Sequence, residues 1–92
     1  MCRNIRVLFN FQPPTTDDEI RAAALQYVRK VSGSPKPSKA NEAIFDKAVE
    51  AISAITAEVV YGMTTTQPPR TREQELAKAR ERNRKRFGVA PA

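Results

Sequence analysis

The sequence predicts an all-α fold: a helical hairpin with an N-terminal arm or short helical turn, and a basic, loosely docked C-terminal helix. Three observations predict it. Thr16-Asp17-Asp18-Glu19 and Thr71-Arg72-Glu73-Gln74 both read as capping boxes, in which a Thr hydroxyl and a Glu or Gln side chain satisfy orphan backbone N–H groups at a helix start. Apolar residues recur at three- and four-residue spacing after Ile20 and again after Ile44. Prolines at 13–14, 35 and 37, and 68–69 cut the chain into four pieces, because the residue before a proline avoids the helical region.

The first piece is the most ambiguous. Ile5, Val7, Phe9 and Phe11 alternate as in a strand, whereas Ile5, Leu8 and Phe9 fit one helical turn. No second strand-like run is present to pair with it. A short helical turn plus an extended arm, packed on the two main helices, is the preferred reading. A strand would require the same segment of a second chain.

The first helix is expected at 16–32. Ile20, Ala24, Tyr27 with Val28, and Val31 form its inner stripe, with Arg21, Gln26, Arg29 and Lys30 outside. Acidic residues at its start and basic ones at its end suit the helix dipole, and Gly33 supplies the C-cap. The second helix is longer, with Ser38 or Asn41 as its cap and Gly62 as its end. Ile44, Phe45, Ala48, Val49, Ile52, Ile55, Val59 and Val60 make an apolar arc wide enough to touch two neighbours. Gly62 to Arg70 has the composition of a linker. The third helix, from Thr71, is rich in helix formers but has a poor apolar stripe of Leu76, Ala79 and Phe87, and the VAPA end reads as a frayed tail. The domains expected are 1–69, a small helical domain with its linker, and 70–92, the basic helix and tail.

The chain has 92 residues, which is one small domain with tails. It contains no His, no Trp and one Cys, which excludes histidine catalysis, a Cys/His zinc finger and any disulfide within the chain. No stretch approaches the ~18–20 apolar residues of a spanning helix. The apolar run at the start is too short for a signal segment, so the expected compartment is the cytoplasm. No cofactor and no membrane contact are expected.

Charge is unevenly placed. Residues 1–69 carry eight basic and seven acidic side chains, whereas residues 70–92 carry eight basic and three acidic ones. Arg70, Arg72, Lys78, Arg80, Arg82, Arg84, Lys85 and Arg86 are therefore candidate nucleic-acid contacts, able to neutralise phosphates along a backbone. Charge runs of this length are commoner as solvated helices, here reinforced by Glu75–Lys78 and Glu81–Lys85 pairs. No aromatic residues interleave the arginines, which argues against single-strand stacking. The connection from Ser32 to Pro37 is longer than the turn of a DNA-reading helix-turn-helix.

Two smaller candidates remain. Lys36, Ser38, Lys39 and Asn41, at the start of the second helix, could hold a phosphate or carboxylate, though ordinary capping explains the same residues. Cys2 is a candidate reactive thiol, exposed as the N-terminus if Met1 is removed and activated by Arg3 and Arg6. With no His to act as base, a small apolar role is favoured. Tyr27 and Tyr61 read as core or rim residues.

MCRNIR at 1–6, the F-N-F-x-P-P stretch of 9–14, EIRAAALQYVRKVSG at 19–33 and KPSKANEAIFDKAVEAI at 36–52 together resemble a family of small bacterial proteins, domain of unknown function 2277. Pro-Pro-Arg at 68–70 and Lys-Ala-Arg at 78–80 extend the resemblance along most of the chain. The resemblance implies a bacterial, cytoplasmic helical protein and carries no activity, substrate or cofactor with it.

The residues thus favour a non-catalytic interaction module over an enzyme, which would rest on Cys2 alone. A core drawn from residues 5–61 is small, and the wide arc of the second helix could be completed by another chain, so a homodimer or a protein partner is expected. A nucleic-acid-binding protein using the basic helix is the alternative.

Overall fold

The computed structural model describes residues 4–87, with side chains through Lys85. Helix α1 spans Asp17–Ser32, a 3-10 turn spans Lys39–Asn41, α2 spans Glu42–Gly62 and α3 spans Arg72–Phe87. Among the described residues there is no strand, only an isolated parallel bridge between Phe11 and Arg70. The protein is all-α.

Local chemistry sets the helix ends. At α1, the Glu19 N–H donates to Thr16 Oγ1 at 3.2 Å and the Thr16 N–H donates to Glu19 Oε1 at 3.0 Å, completing the capping box. Gly33 closes the helix in the left-handed region at φ 68°, and its N–H donates to the Arg29 carbonyl. The start of α2 differs from expectation. Neither Ser38 nor Asn41 caps it through a side chain. The Asn41 N–H instead donates to the Ser38 carbonyl at 2.9 Å, so the helix is entered through the 3-10 turn, which uses up the local donors. Thr71 and Gln74 form a second reciprocal box at α3, with Gln74 N–H to Thr71 Oγ1 at 3.1 Å and Thr71 N–H to Gln74 Oε1 at 3.3 Å.

Helices α1 and α2 form the core as an antiparallel hairpin. Ala24 and Val28 pack with Phe45 and Val49, and Leu25, Ala48 and Ile52 lie against them. The antiparallel sense follows from two cross-links. Arg21 near the start of α1 pairs with Glu50, and Tyr61 at the end of α2 donates to Asp17 Oδ1 at 3.1 Å and to the Thr15 carbonyl at 2.8 Å. Ile20 and Val49 are each only 1% exposed. Tyr27 and Val31, expected inside, are exposed. Val31 sits in the last turn of α1, next to the loop that leads away to α2, and only Ile20, Ala24 and Val28 of that stripe are buried.

Residues 4–16 form an arm with no helical turn, so of the two readings only the extended arm is realised. The Asn4 N–H donates to Gln26 Oε1 at 2.8 Å, Leu8 is buried, and the hydroxyl of buried Thr15 donates to the Leu8 carbonyl. The arm does find an extended partner, which is the segment before α3. Gln12 N–H donates to the Arg70 carbonyl at 2.9 Å and Arg70 N–H donates to the Asn10 carbonyl at 2.7 Å. Asn10 takes a left-handed conformation at φ 66°, tolerated by Asn, and its side-chain amide donates to the Pro68 carbonyl at 3.1 Å.

The result is thin. The extents are 47 × 37 × 15 Å. The radius of gyration is 16.1 Å, against about 12 Å for a compact domain of this length. Accessible surface is 7347 Å², against roughly 5,400 Å² for a compact monomer of this mass. Globular domains bury their faces between at least two layers, and here α2 packs against α1 and the 3-10 turn and against no further helix among the described residues.

Candidate functional site

The feature the thin fold leaves open is a face of α2. Phe45, Val49 and Ile52 use one side of the apolar arc against α1 and are buried or half-buried. The opposite side is uncovered. Ile44 is 62% exposed, Ile55 57% and Val59 50%. With exposed Ala51, and with half-buried Ala48 at the edge that also packs on the core, they recur every three or four residues as one stripe. The stripe runs about 22 Å at 1.5 Å per residue. Lys47 and Glu58 flank it, both exposed, and among the described residues neither makes an ion pair. The arc wide enough for two neighbours therefore has one of them, α1.

The second feature is a cluster of charge where the arm meets α3. Arg72 Nη2 donates to Glu19 Oε1 at 2.8 Å and its Nε to Oε2 at 3.4 Å. The same guanidinium donates to the carbonyls of Pro13 at 2.8 Å and Pro14 at 3.2 Å, and lies over the Phe11 ring at 5.4 Å. Arg6 Nη2 also reaches Glu19, at 3.4 Å. The Arg72 guanidinium first, and then the Thr16 N–H, pull the Glu19 carboxyl down from 4.5 to about 2. The hydrogen bond from Arg72 to Glu19 raises the guanidinium's own pKa. Burial, and then its bond to Asp17, push the Tyr61 hydroxyl up. Arg70 Nη1 donates to the Phe9 carbonyl at 2.8 Å, and Arg70 approaches Glu75 at 3.9 Å. Arg70 and Arg72, candidate nucleic-acid contacts by sequence, thus hold arm, linker end and α1 together.

The remaining candidates on α3 lie further along it. Lys78 pairs with Glu75 at 3.2 Å, and Arg84 pairs with Glu81 at 2.8 Å. Glu81 takes Arg84, three residues on, in place of the expected Lys85. Arg80, Arg82 and Lys85 are exposed and without a carboxylate partner among the described residues. The basic residues ring the helix: Arg80 and Arg84 share one side, and Lys78, Arg82 and Lys85 share another. The side chain of Arg86 lies outside the described residues.

Lys36, Ser38, Lys39 and Asn41 are all exposed. Asn41 Nδ2 donates to Ser38 Oγ at 3.2 Å, and Glu42 opens α2 with a negative charge beside them. Cys2 lies outside the described residues. An open depression of about 600 Å³ is lined by Asn4, Gln26, Arg29, Lys30 and neighbours. Its lining includes no carboxylate or thiol, and Arg29 Nε is already given to the Pro35 carbonyl at 2.9 Å. Among the described residues no group of three or more carboxylates or thiols could hold a metal ion, and no helix is long and apolar enough to cross a membrane.

Sequence reasoning missed Glu19 as the centre of a cluster. Its place in the capping box is local and legible. Its cation stands 53 residues away at Arg72, and no periodicity reports that.

The model of a protein family described as uncharacterized conserved protein, domain of unknown function 2277, matches residues 1–78. The match takes in the arm, the hairpin and the start of α3. No curated protein and no solved structure matches the chain.

Proposed function

The chain belongs to that family of uncharacterized conserved proteins, and from that premise we propose that it is a non-catalytic interaction module that self-associates through the uncovered face of α2. The observation that carries the reading is the aligned exposure of Ile44, Ile55 and Val59 on a helix whose other side is already packed. Scattered exposed apolar residues are ordinary, but a continuous stripe on a thin fold marks a surface for another apolar face. Light scattering across a concentration series tests it. Wild-type protein is expected to approach twice the monomer mass. Ile55→Glu is expected to stay monomeric with unchanged helix content, because the side chain it replaces contributes little to the core. A wild-type monomer at every concentration refutes the proposal.

A second reading is favoured by one observation, the exposed and unpaired Arg80, Arg82 and Lys85. Phosphate contact by α3 would weaken with salt by a slope of roughly −0.9 per phosphate neutralised on duplex DNA. Replacing Lys78, Arg80, Arg82, Arg84, Lys85 and Arg86 by Gln leaves Arg70 and Arg72 in the fold. Salt-sensitive binding to labelled duplex DNA that disappears in that variant supports this reading, and no binding at low salt removes it.

A further inference from the structure

Resting on self-association through α2, we infer that the uncovered face packs antiparallel on the same face of a second copy, about a two-fold axis between Ala51 and Ile52, with Lys47 of each chain against Glu58 of the other. The stripe is nearly its own reverse. Turned end for end about that axis, Ile44 meets Val59, Ala48 meets Ile55, and Ala51 lies at the crossing. Large residues then face large ones at the ends. A branched side chain enters the space above an alanine on either side of the centre, and the small central residue lets the helices approach closely. A parallel pairing sets Ala48 and Ala51 each against its own copy and leaves a gap in the middle of the face.

Charge selects the same antiparallel sense. Lys47 and Glu58 are eleven residues apart, three helical turns, so they lie on one edge of the stripe. In an antiparallel pair each edge meets the same edge of the partner, and reversal about the axis brings Lys47 to the level of position 56 of the partner subunit, two residues or about 3 Å along the helix from its Glu58, a gap that the two long side chains span. The contact occurs twice by symmetry. In a parallel pair neither residue finds an opposite charge at its own level. Within its own helix Glu58 has Ala54, Ile55, Tyr61 and Gly62 at three and four residues' distance, so no cation competes for it. Both side chains are exposed and unpaired among the described residues, so they are free to make this contact.

Charge reversal tests the arrangement, with the full-length chain in sedimentation equilibrium at low and raised salt. Lys47→Glu and Glu58→Lys each place two like-charge contacts in the dimer and are expected to weaken association by about tenfold or more at low salt, less at high salt. The double variant restores opposite charges with the order exchanged and is expected to return to within about threefold of wild type. Unchanged helix content by circular dichroism in all three variants confirms that the hairpin is intact. Single variants that associate like wild type, or a double variant as weak as the singles combined, overturn the antiparallel pairing. If wild type associates and Ile55→Glu abolishes association in either case, the α2 face stands as the interface and only its register and direction are lost. A monomeric wild type overturns both.

Discussion

Replacing Glu19 by Gln removes one negative charge from the junction of arm, α1 and α3 while keeping a side chain able to complete the capping box. Its carboxylate accepts from Arg72 at 2.8 Å, from the Thr16 N–H at 3.0 Å and from Arg6 at 3.4 Å, and the Arg72 and Thr16 bonds hold its pKa at about 2 against 4.5. At about 1.4 kcal/mol per pKa unit, the ceiling on the linked stability is roughly 3.5 kcal/mol. The Glu19 side chain is 22% exposed and those of Arg72 and Arg6 39% and 54%, so solvent screening reduces the expected contribution to ~1.5 kcal/mol. A depressed carboxyl pKa stabilises the fold in full above the unfolded value of 4.5, and that contribution is lost as the pH falls towards 2. Urea unfolding followed by far-ultraviolet circular dichroism, at about pH 7 and about pH 3, should show wild type ahead of Glu19→Gln by ~1.5 kcal/mol at the higher pH and by less than half of that at the lower. Equal midpoints at neutral pH, or a gap that does not shrink with acid, refute the argument that this cluster stabilises the fold.

Val49→Ala opens a hole at a residue 1% exposed between the two helices and should cost ~2 kcal/mol in the same unfolding assay. Gly33→Ala meets no atom within 4 Å, so its expected cost of about 1 kcal/mol is that of a side chain at positive φ alone. The buried Ser53 hydroxyl has no hydrogen-bond partner among the described residues. Ser53→Ala should therefore leave stability unchanged or raise it by up to about 1 kcal/mol, and a loss of that size would show that the hydroxyl is satisfied in solution.

The parts of the fold legible in the sequence are those set by neighbours in the chain. Thr16, Glu19 and Gly33 bound α1 because a capping box and a left-handed C-cap need only residues a turn apart. The broad arc of α2 was legible as well, since helical periodicity places Ile44 and Ile55 about 120–140° round the helix from Val49 whatever lies around them. What was not legible depends on distant partners. Arg70 and Arg72 belong by composition to the basic C-terminal stretch, yet the carbonyls of Phe9, Pro13 and Pro14 and the carboxylate of Glu19 bind them. The arm's pairing with residues before α3 was hidden because Gln67 to Arg70 has no strand-like alternation. A single bridge and a few backbone bonds need none. The cap of α2 was misread because Ser38 and Asn41 satisfy each other across the 3-10 turn, an arrangement that residue types alone do not distinguish from side-chain capping.

The contacts that join Phe11 to Arg70 and Glu19 to Arg72 also order events in time. Closing a chain segment of that length costs more entropy than forming the hairpin turn between α1 and α2, so the hairpin forms first and the junction closes on it. By the same reasoning the junction opens before the hairpin does, and amides of Gln12 and Arg70 should exchange with solvent ahead of those at Val28 and Val49. On the ribosome the sequence is stricter still. Both helices of the hairpin emerge before Arg72 has been translated into reach, and until then Glu19 has its capping-box bonds to Thr16 but not its Arg72 partner. The nascent hairpin therefore lacks the acid-labile stabilisation that Arg72 adds to the finished protein, and the arm is seated only after synthesis has passed the start of α3.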